Sequence, residues 1–167
     1  MTVLALGLVL KDEQGAYDEV CTPLTELRHR DARLLLADWR RLDASGGFIV
    51  GIHVPSRALA SVLCGLTLYQ PIDNGRDYLV RLAGSSVLRR FGRDITGLKL
   101  SQFSGDSFAY HRTQIRRVQT SGEPFLLHVD KLWEGSRYLH FELVGLQVFS
   151  PDCRDPWVMT GQFLLPD

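Results

Sequence analysis

The stretch RDYLVRLAGSSVLRRFGRDITGLKL, residues 76–100, decides how the rest of the chain is read. It opens with Tyr78, Val80 and Leu82 set against Asp77, Leu79, Arg81 and Ala83, the period-two alternation of a strand. Gly84 stops the strand, and a short helical stretch follows that ends at Gly92. A strand that gives way at once to small, broken helices is how a fold wraps helices over one sheet face and leaves a hollow beneath them.

Just upstream, residues 62–69 alternate with Val62, Cys64, Leu66 and Leu68 on one face, and Asp73-Asn74-Gly75 reads as a turn. Residues 62–69 and 77–83 therefore form a hairpin. Downstream, residues 96–103 are short and irregular. Asp106 is placed to cap a helix running to Ser121-Gly122, on which Phe108, Ile115 and Val118 share a face with His111 in its middle. Three strand-like segments close the chain, at 125–133, 138–149 and 157–165, with Pro151 and Pro156 in the last turn. This order predicts an α+β domain with an antiparallel sheet.

At the other end, Thr22-Pro23 reads as a helix start, with Thr22 as cap, Pro23 in the first helical position and Glu26 in the first turn. The helix is expected to reach Leu42 and to stop at Ser45-Gly46-Gly47. Leu27, Leu34, Leu35, Trp39 and Leu42 recur at helical spacing, while Arg28, Arg30, Arg33, Asp38 and Arg40 occupy other faces. So apolar a helix needs a surface, either the sheet or a second copy of the chain. Residues 47–60 carry little pattern, and Pro55 rules out a central strand there. The expected division is thus an N-terminal extension and helix at 1–46 and a domain at 47–167.

Composition narrows the function classes. The chain has 167 residues, 45% apolar and 23% charged, which suits one soluble domain with an extension. Nineteen basic and nineteen acidic residues cancel, so no overall field draws it to nucleic acid or an anionic membrane. The basic stretch Leu88-Arg89-Arg90-Phe91-Gly92-Arg93 reads as a solvated helix end. Cys21, Cys64 and Cys153 are odd in number and form no CxxC, so reduced thiols in a cytoplasmic protein are expected. The apolar run 2–10 lacks a basic leader and a small-residue cleavage site, and Lys11-Asp12-Glu13 follow directly. An extra strand or a mis-assigned start codon each accounts for it.

The order of elements resembles the PAS sensor fold. More specifically, RLAGSSVLRRFGRDITGLKL is similar to a group of short, stand-alone proteobacterial PAS proteins. In them a strand ending R-L-A-G leads to a small helix and an F-G-R-[DE]-[LIV]-T-G turn, and Asp38-Trp39-Arg40-Arg41-Leu42 fits the preceding helix. The resemblance runs over about 34–165 and implies a five-stranded antiparallel sheet, order 2-1-5-4-3, with helices over its inner face. It implies a signalling module that binds a small ligand, a cofactor or another protein, commonly dimerising through the leading helix. Read physically, Gly84 and Gly92 supply backbone freedom at a strand end and a helix end, and Asp94 with Thr96 closes a turn before Gly97.

Candidate sites follow from the register of the 125–133 and 137–149 strands. Odd positions are assigned to the core: Phe125, Leu127, Val129 and Trp133, then Leu139, Phe141, Leu143 and Phe149. A loop of odd length, Glu134-Gly135-Ser136, sets Val129 opposite Phe141 and Leu127 opposite Leu143. On the other face Asp130 meets His140 and His128 meets Glu142. That quartet reads as surface ion pairs in preference to a metal site, because sheet faces rarely aim four ligands at one point. His111, turned to the sheet with Phe108 and Ile115, needs a partner: a backbone carbonyl, or else a cavity ligand or haem iron.

The expected ligand-binding set is therefore Phe108, His111, Ile115, Leu127, Val129, Phe141 and Leu143. No cofactor is assigned, and no catalytic motif is present. There is no Gly-x-Ser-x-Gly, no His-Glu-x-x-His and no phosphate-binding loop, and Ser85 and Ser86 read as helix-cap residues. Val144, Leu146 and Val148 make the outer sheet face apolar, and such a stripe is usually covered. Leu35, Trp39 and Leu42 are the expected cover, from the same chain or a partner, and these six residues form the expected dimer interface. The sum is a non-enzymatic, cytoplasmic regulatory module that acts by binding, with neither nucleic acid nor membrane as partner. The competing classes are an interaction adaptor with a filled interior and a small metal-dependent hydrolase. Cavity volume separates sensor from adaptor.

Overall fold

The structure, a computed structural model, describes residues 8–11, 17–103 and 105–167. The hairpin read from the alternation is β3 (Leu66–Ile72) and β4 (Asp77–Ala83), which begins at Leu66 and not at Val62. Asp73 and Asn74 turn the chain at φ 51° and 57°, a region that short polar side chains tolerate best after glycine. A register shift at Leu68/Tyr69 then breaks the simple alternation. Tyr78 and Val80 pack in one core and Leu82 against the other.

Helix α2 (Val87–Phe91) follows and ends at Gly92 in the left-handed region, φ 73°. Gly84 has a different duty from the one expected. A Cβ there would lie 2.2 Å from the Cys64 carbonyl oxygen, so glycine is needed for close backbone approach and not for positive φ. Helix α3 (Asp106–Ser121) starts one residue earlier than its expected cap allowed, with Gly105 in the capping position and Asp106 already helical. β5 (Phe125–Trp133), β6 (Ser136–Phe149) and β7 (Pro156–Leu164) complete the C-terminal half.

Two further strands enlarge the sheet beyond the expected five. β1 (Leu8–Lys11) and β2 (Tyr17–Pro23) join its edge, giving among the described residues seven strands in the order β1-β2-β5-β6-β7-β3-β4, with the pairings between these strands antiparallel. Residues 2–7 of the apolar opening run lie outside the described residues. Thr22-Pro23 ends β2 instead of starting a helix: Thr22 pairs with His128 and Pro23 with Leu127. Proline disfavours helical backbone in the residue before it, so the same dipeptide serves a strand end equally well.

The leading helix, α1 (Arg30–Ala44), begins seven residues later than expected, with His29 as its N-cap in place of Thr22. His29 Nδ1 accepts from the Asp31 N–H at 3.1 Å. The segment entering the helix is pinned by Glu142 of β6, whose buried carboxylate accepts from the Arg28 N–H at 2.8 Å and the His29 N–H at 2.6 Å. β2 bonds to β5, and α1 packs on β6 and β7.

The sheet separates two sides. On the outer side α1 and residues 48–63 bury Leu35, Leu36, Trp39, Phe48 and Leu59 against Val144, Leu146, Val148 and Met159. On the inner side α2, α3 and the connecting turns cover Tyr69, Tyr78, Val80 and Val158. The β5–β6 register places Val129 opposite Phe141, Leu127 opposite Leu143, Asp130 opposite His140 and His128 opposite Glu142. The connection is a two-residue turn, not three: Glu134 and Gly135 take φ 49° and 80°, and Trp133 pairs with Ser136. Parity is recovered by a register shift at Lys131/Leu132, where the ladder passes from Lys131–Leu139 to Leu132–Arg137. Trp133, assigned to the core by parity, is therefore 45% exposed at the hairpin tip. Among the described residues no helix is long and apolar enough to cross a membrane.

Candidate functional site

The chamber between the inner sheet face and α3 is where a ligand was expected. Phe108, His111 and Ile115 do share the face of α3 that meets the sheet, as helical spacing requires, and all three are buried. The chamber is filled by aromatic rings. Phe103 stacks on Phe108 with centroids 4.3 Å apart and planes 7° from parallel, and Phe91 lies 5.5 Å from Phe108. Arg93 sits over the outer side of this stack, 5.1 Å from the Phe103 ring.

The space left over is about 10 Å³, lined by residues including Tyr69, Phe108, His111, Ile115, Phe125 and Leu143. That is room for a single water, whereas small-molecule sites run to about 300–1,000 Å³. Of the seven expected ligand-binding residues, Phe108, His111, Ile115 and Leu143 line this space. Leu127, Val129 and Phe141 do not. They pack around Cys21 in a separate cluster under Tyr110 and Leu139. Among the described residues, the space left in this chamber is too small for a porphyrin.

His111 has a carboxylate partner where a backbone carbonyl was expected. Its Nε2 lies 3.0 Å from Glu19 Oε2 of β2, and both side chains are almost wholly buried. Glu19 faces Lys131 across the β2–β5 ladder, and Lys131 is 6% exposed. Buried charges survive folding only when paired, and the partner the structure gives Glu19 is His111. Cys21 lies two residues along β2, and its sulfur, a His111 nitrogen and a Glu19 oxygen fall within 4.8 Å of one another. Cys21 is 0% exposed, so no substrate reaches that sulfur as a nucleophile. Burial, then the nearby Cys21, pushes the Tyr110 hydroxyl above its ordinary pKa of 10.0.

Glu19, Cys21 and Lys131 were missed as a unit because β2 was missed. Lys131 held the available signal: parity puts it on the inner face with Leu127 and Val129, and a lysine there demands an acid on a neighbouring strand. The serines at the end of β4 have structural duties. Ser86 stands at the N-cap position of α2, as expected, but its Oγ donates to the Cys64 carbonyl at 2.7 Å and makes no capping bond to the helix.

The expected dimer interface is occupied by the chain itself. Leu35, Trp39, Val144, Leu146 and Val148 are buried together in one intramolecular core, and Leu42 is packed against it. The Trp39 indole N–H donates to the Gln147 carbonyl at 2.7 Å. Of the two covers considered for the apolar stripe, the chain's own helix is the one present, because the loop bound by Glu142 returns α1 directly over β6. The outward side of α1 carries Arg33, Leu34, Ala37 and Arg40, with one large apolar residue among them.

Concavity is found elsewhere on the surface. An open groove of about 660 Å³ lies where the β3–β4 turn meets the β6–β7 loop, lined in part by Ile72, Asp73, Gln119, Asp152, Asp155 and Trp157. Asp152 is held below the usual aspartate range by hydrogen bonds from the Ser150 hydroxyl and the Arg154 N–H. No family model and no curated protein matches the chain.

Proposed function

We propose that this chain is a non-enzymatic regulatory module of PAS type that acts through contact with another protein, its chamber filled by its own side chains. The observation that carries this reading is the residual volume of about 10 Å³ beneath α3, set against the much larger space a bound metabolite needs. The order β4-β3-β7-β6-β5 within the sheet supports the PAS assignment, since it is 2-1-5-4-3 counted from Leu66. Helices α2 and α3 fall between the second and third of those strands, where the fold requires them.

The open groove beside the β3–β4 turn is the contact surface this reading assigns, and its Asp73, Asp152 and Asp155 suit a partner segment bearing lysine or arginine. A second copy of the chain remains one such partner, by a surface other than Leu35, Trp39, Val144, Leu146 and Val148. No disulfide forms among the described residues, which fits a reducing compartment such as the cytoplasm. Native mass spectrometry of the protein as purified tests the reading. Chain masses alone, as monomer or oligomer, support it. A one-to-one small-molecule adduct that survives desalting contradicts it.

A further inference from the structure

The outer-face quartet read as two ion pairs is built differently. Glu142 is withdrawn from it, because its carboxylate is taken by the N–H groups of Arg28 and His29. The other three converge: one nitrogen each of His128 and His140 and one oxygen of Asp130 all lie within 4.8 Å of one another. The rings of the two histidines are 5.8 Å apart.

Two atoms of this trio lack what their surroundings call for. His140 Nε2 lies 3.0 Å from the Pro166 carbonyl oxygen. A carbonyl only accepts, so Nε2 carries the proton and Nδ1 of the neutral ring holds a lone pair. That Nδ1 is buried with no hydrogen-bond partner, and so is Asp130 Oδ1. His128 Nε2 at 3.3 Å and Arg137 Nε at 3.5 Å attract the Asp130 oxygen without being aligned as donors. Orphaned buried acceptors are costly, and one cation would satisfy both.

We propose that His128, Asp130 and His140 form a binding site for a divalent transition ion of the zinc class. Two imidazoles and one carboxylate favour zinc, cobalt or nickel over magnesium and calcium, which prefer oxygen ligands throughout. The Pro166 carbonyl is the outer partner that fixes the His140 tautomer, the arrangement metal-binding histidines ordinarily have. Arg137, with 53% of its side chain exposed, can leave Asp130 for solvent when the ion arrives. A remaining coordination position goes to water or to a group from a partner. In the competing cluster, Glu19, Cys21 and His111, the Glu19 carboxylate already has His111 as its partner at 3.0 Å. The site is independent of the function proposed above. One of its members, His128, is the direct cross-strand partner of Glu142, the carboxylate that holds the start of α1.

The test is zinc titration of tag-free protein, followed by calorimetry and by thermal unfolding, with cobalt absorbance as a second readout. One ion should bind per chain, and the melting temperature should rise by about 5–10 °C at a hundredfold excess over Kd. His128→Asn and His140→Gln should each abolish the response, and His111→Gln should retain it. If His140→Gln does not fold, His128→Asn decides, since its partly exposed ring contributes little to packing. Absence of one-to-one binding by the wild type overturns the proposal. So does a response that survives His128→Asn, or one that is lost in His111→Gln.

Discussion

Replacing Trp39 with alanine separates two explanations of why the leading helix is so apolar. The indole is 4% exposed, lies among Leu35, Val144, Leu146 and Val148 in the outer core, and donates to the Gln147 carbonyl at 2.7 Å. Truncation removes most of a buried aromatic surface and leaves a carbonyl without its donor. Substitutions of this kind cost about 3–5 kcal/mol, a large share of the roughly 5–15 kcal/mol that holds a typical domain folded. With a urea dependence of about 2 kcal/mol per molar, the unfolding midpoint should fall by roughly 2 M. Trp39→Phe keeps most of the packing and should cost only about 1–2 kcal/mol, chiefly the hydrogen bond. Urea unfolding with light scattering on the same samples reads both stability and mass. An unchanged midpoint accompanied by halved mass would refute the intramolecular packing argument and restore Trp39 to a dimer interface.

Three further outcomes follow from the same geometry. Gly84→Ala drives a Cβ into the backbone at Cys64 and Leu63, where nothing flexible can yield, so stability should drop by more than about 2 kcal/mol in urea unfolding. Glu142→Ala strips the acceptor from the N–H groups of Arg28 and His29. It should cost about 2–4 kcal/mol and raise hydrogen exchange at those two amides and at the start of α1 before anywhere else. Asp77 gives the pH dependence: burial opposes its ionisation, but bonds from the Ser101 hydroxyl and the Tyr78 and Ser101 N–H groups outweigh it and hold the carboxyl below its ordinary 3.8. A depressed folded pKa contributes stability that is complete above the unfolded value and is lost as pH falls through the folded one. Asp77→Asn should therefore flatten the loss of stability below about pH 4, as followed by acid titration of the circular dichroism signal.

What could be read from residues alone was what local chemistry makes unambiguous. The turn at Asp73-Asn74-Gly75 and the helix ends at Gly92 and Gly122 all sit at positive φ, which few other residues accept. The β5–β6 register was legible because a one-residue slip would have put Val129 and Phe141 in water. Thr22-Pro23 was not legible, since a hydroxyl followed by proline serves a helix start and a strand end alike. Losing β2 lost Glu19 and Cys21, and with them the partner of His111. The outer apolar stripe was identified correctly, but sequence cannot say whether a cover is delivered by the same chain or another. That depended on Glu142 grasping the backbone before α1, a contact between residues 114 positions apart. Gly84 shows the same limit, because its constraint comes from the backbone turn at Leu63 and Cys64 and not from its own dihedral angles.

The central claim, that the chamber beneath α3 is filled, is tested most directly by methyl NMR spectra recorded under xenon pressure. Xenon enters apolar cavities that admit a small molecule and ignores interiors that are packed. The account predicts no saturable shift at the methyl groups of Leu100, Ile115 and Leu143. Saturable shifts at these three, with the rest of the spectrum unmoved, would contradict it and return the protein to the class of small-molecule sensors.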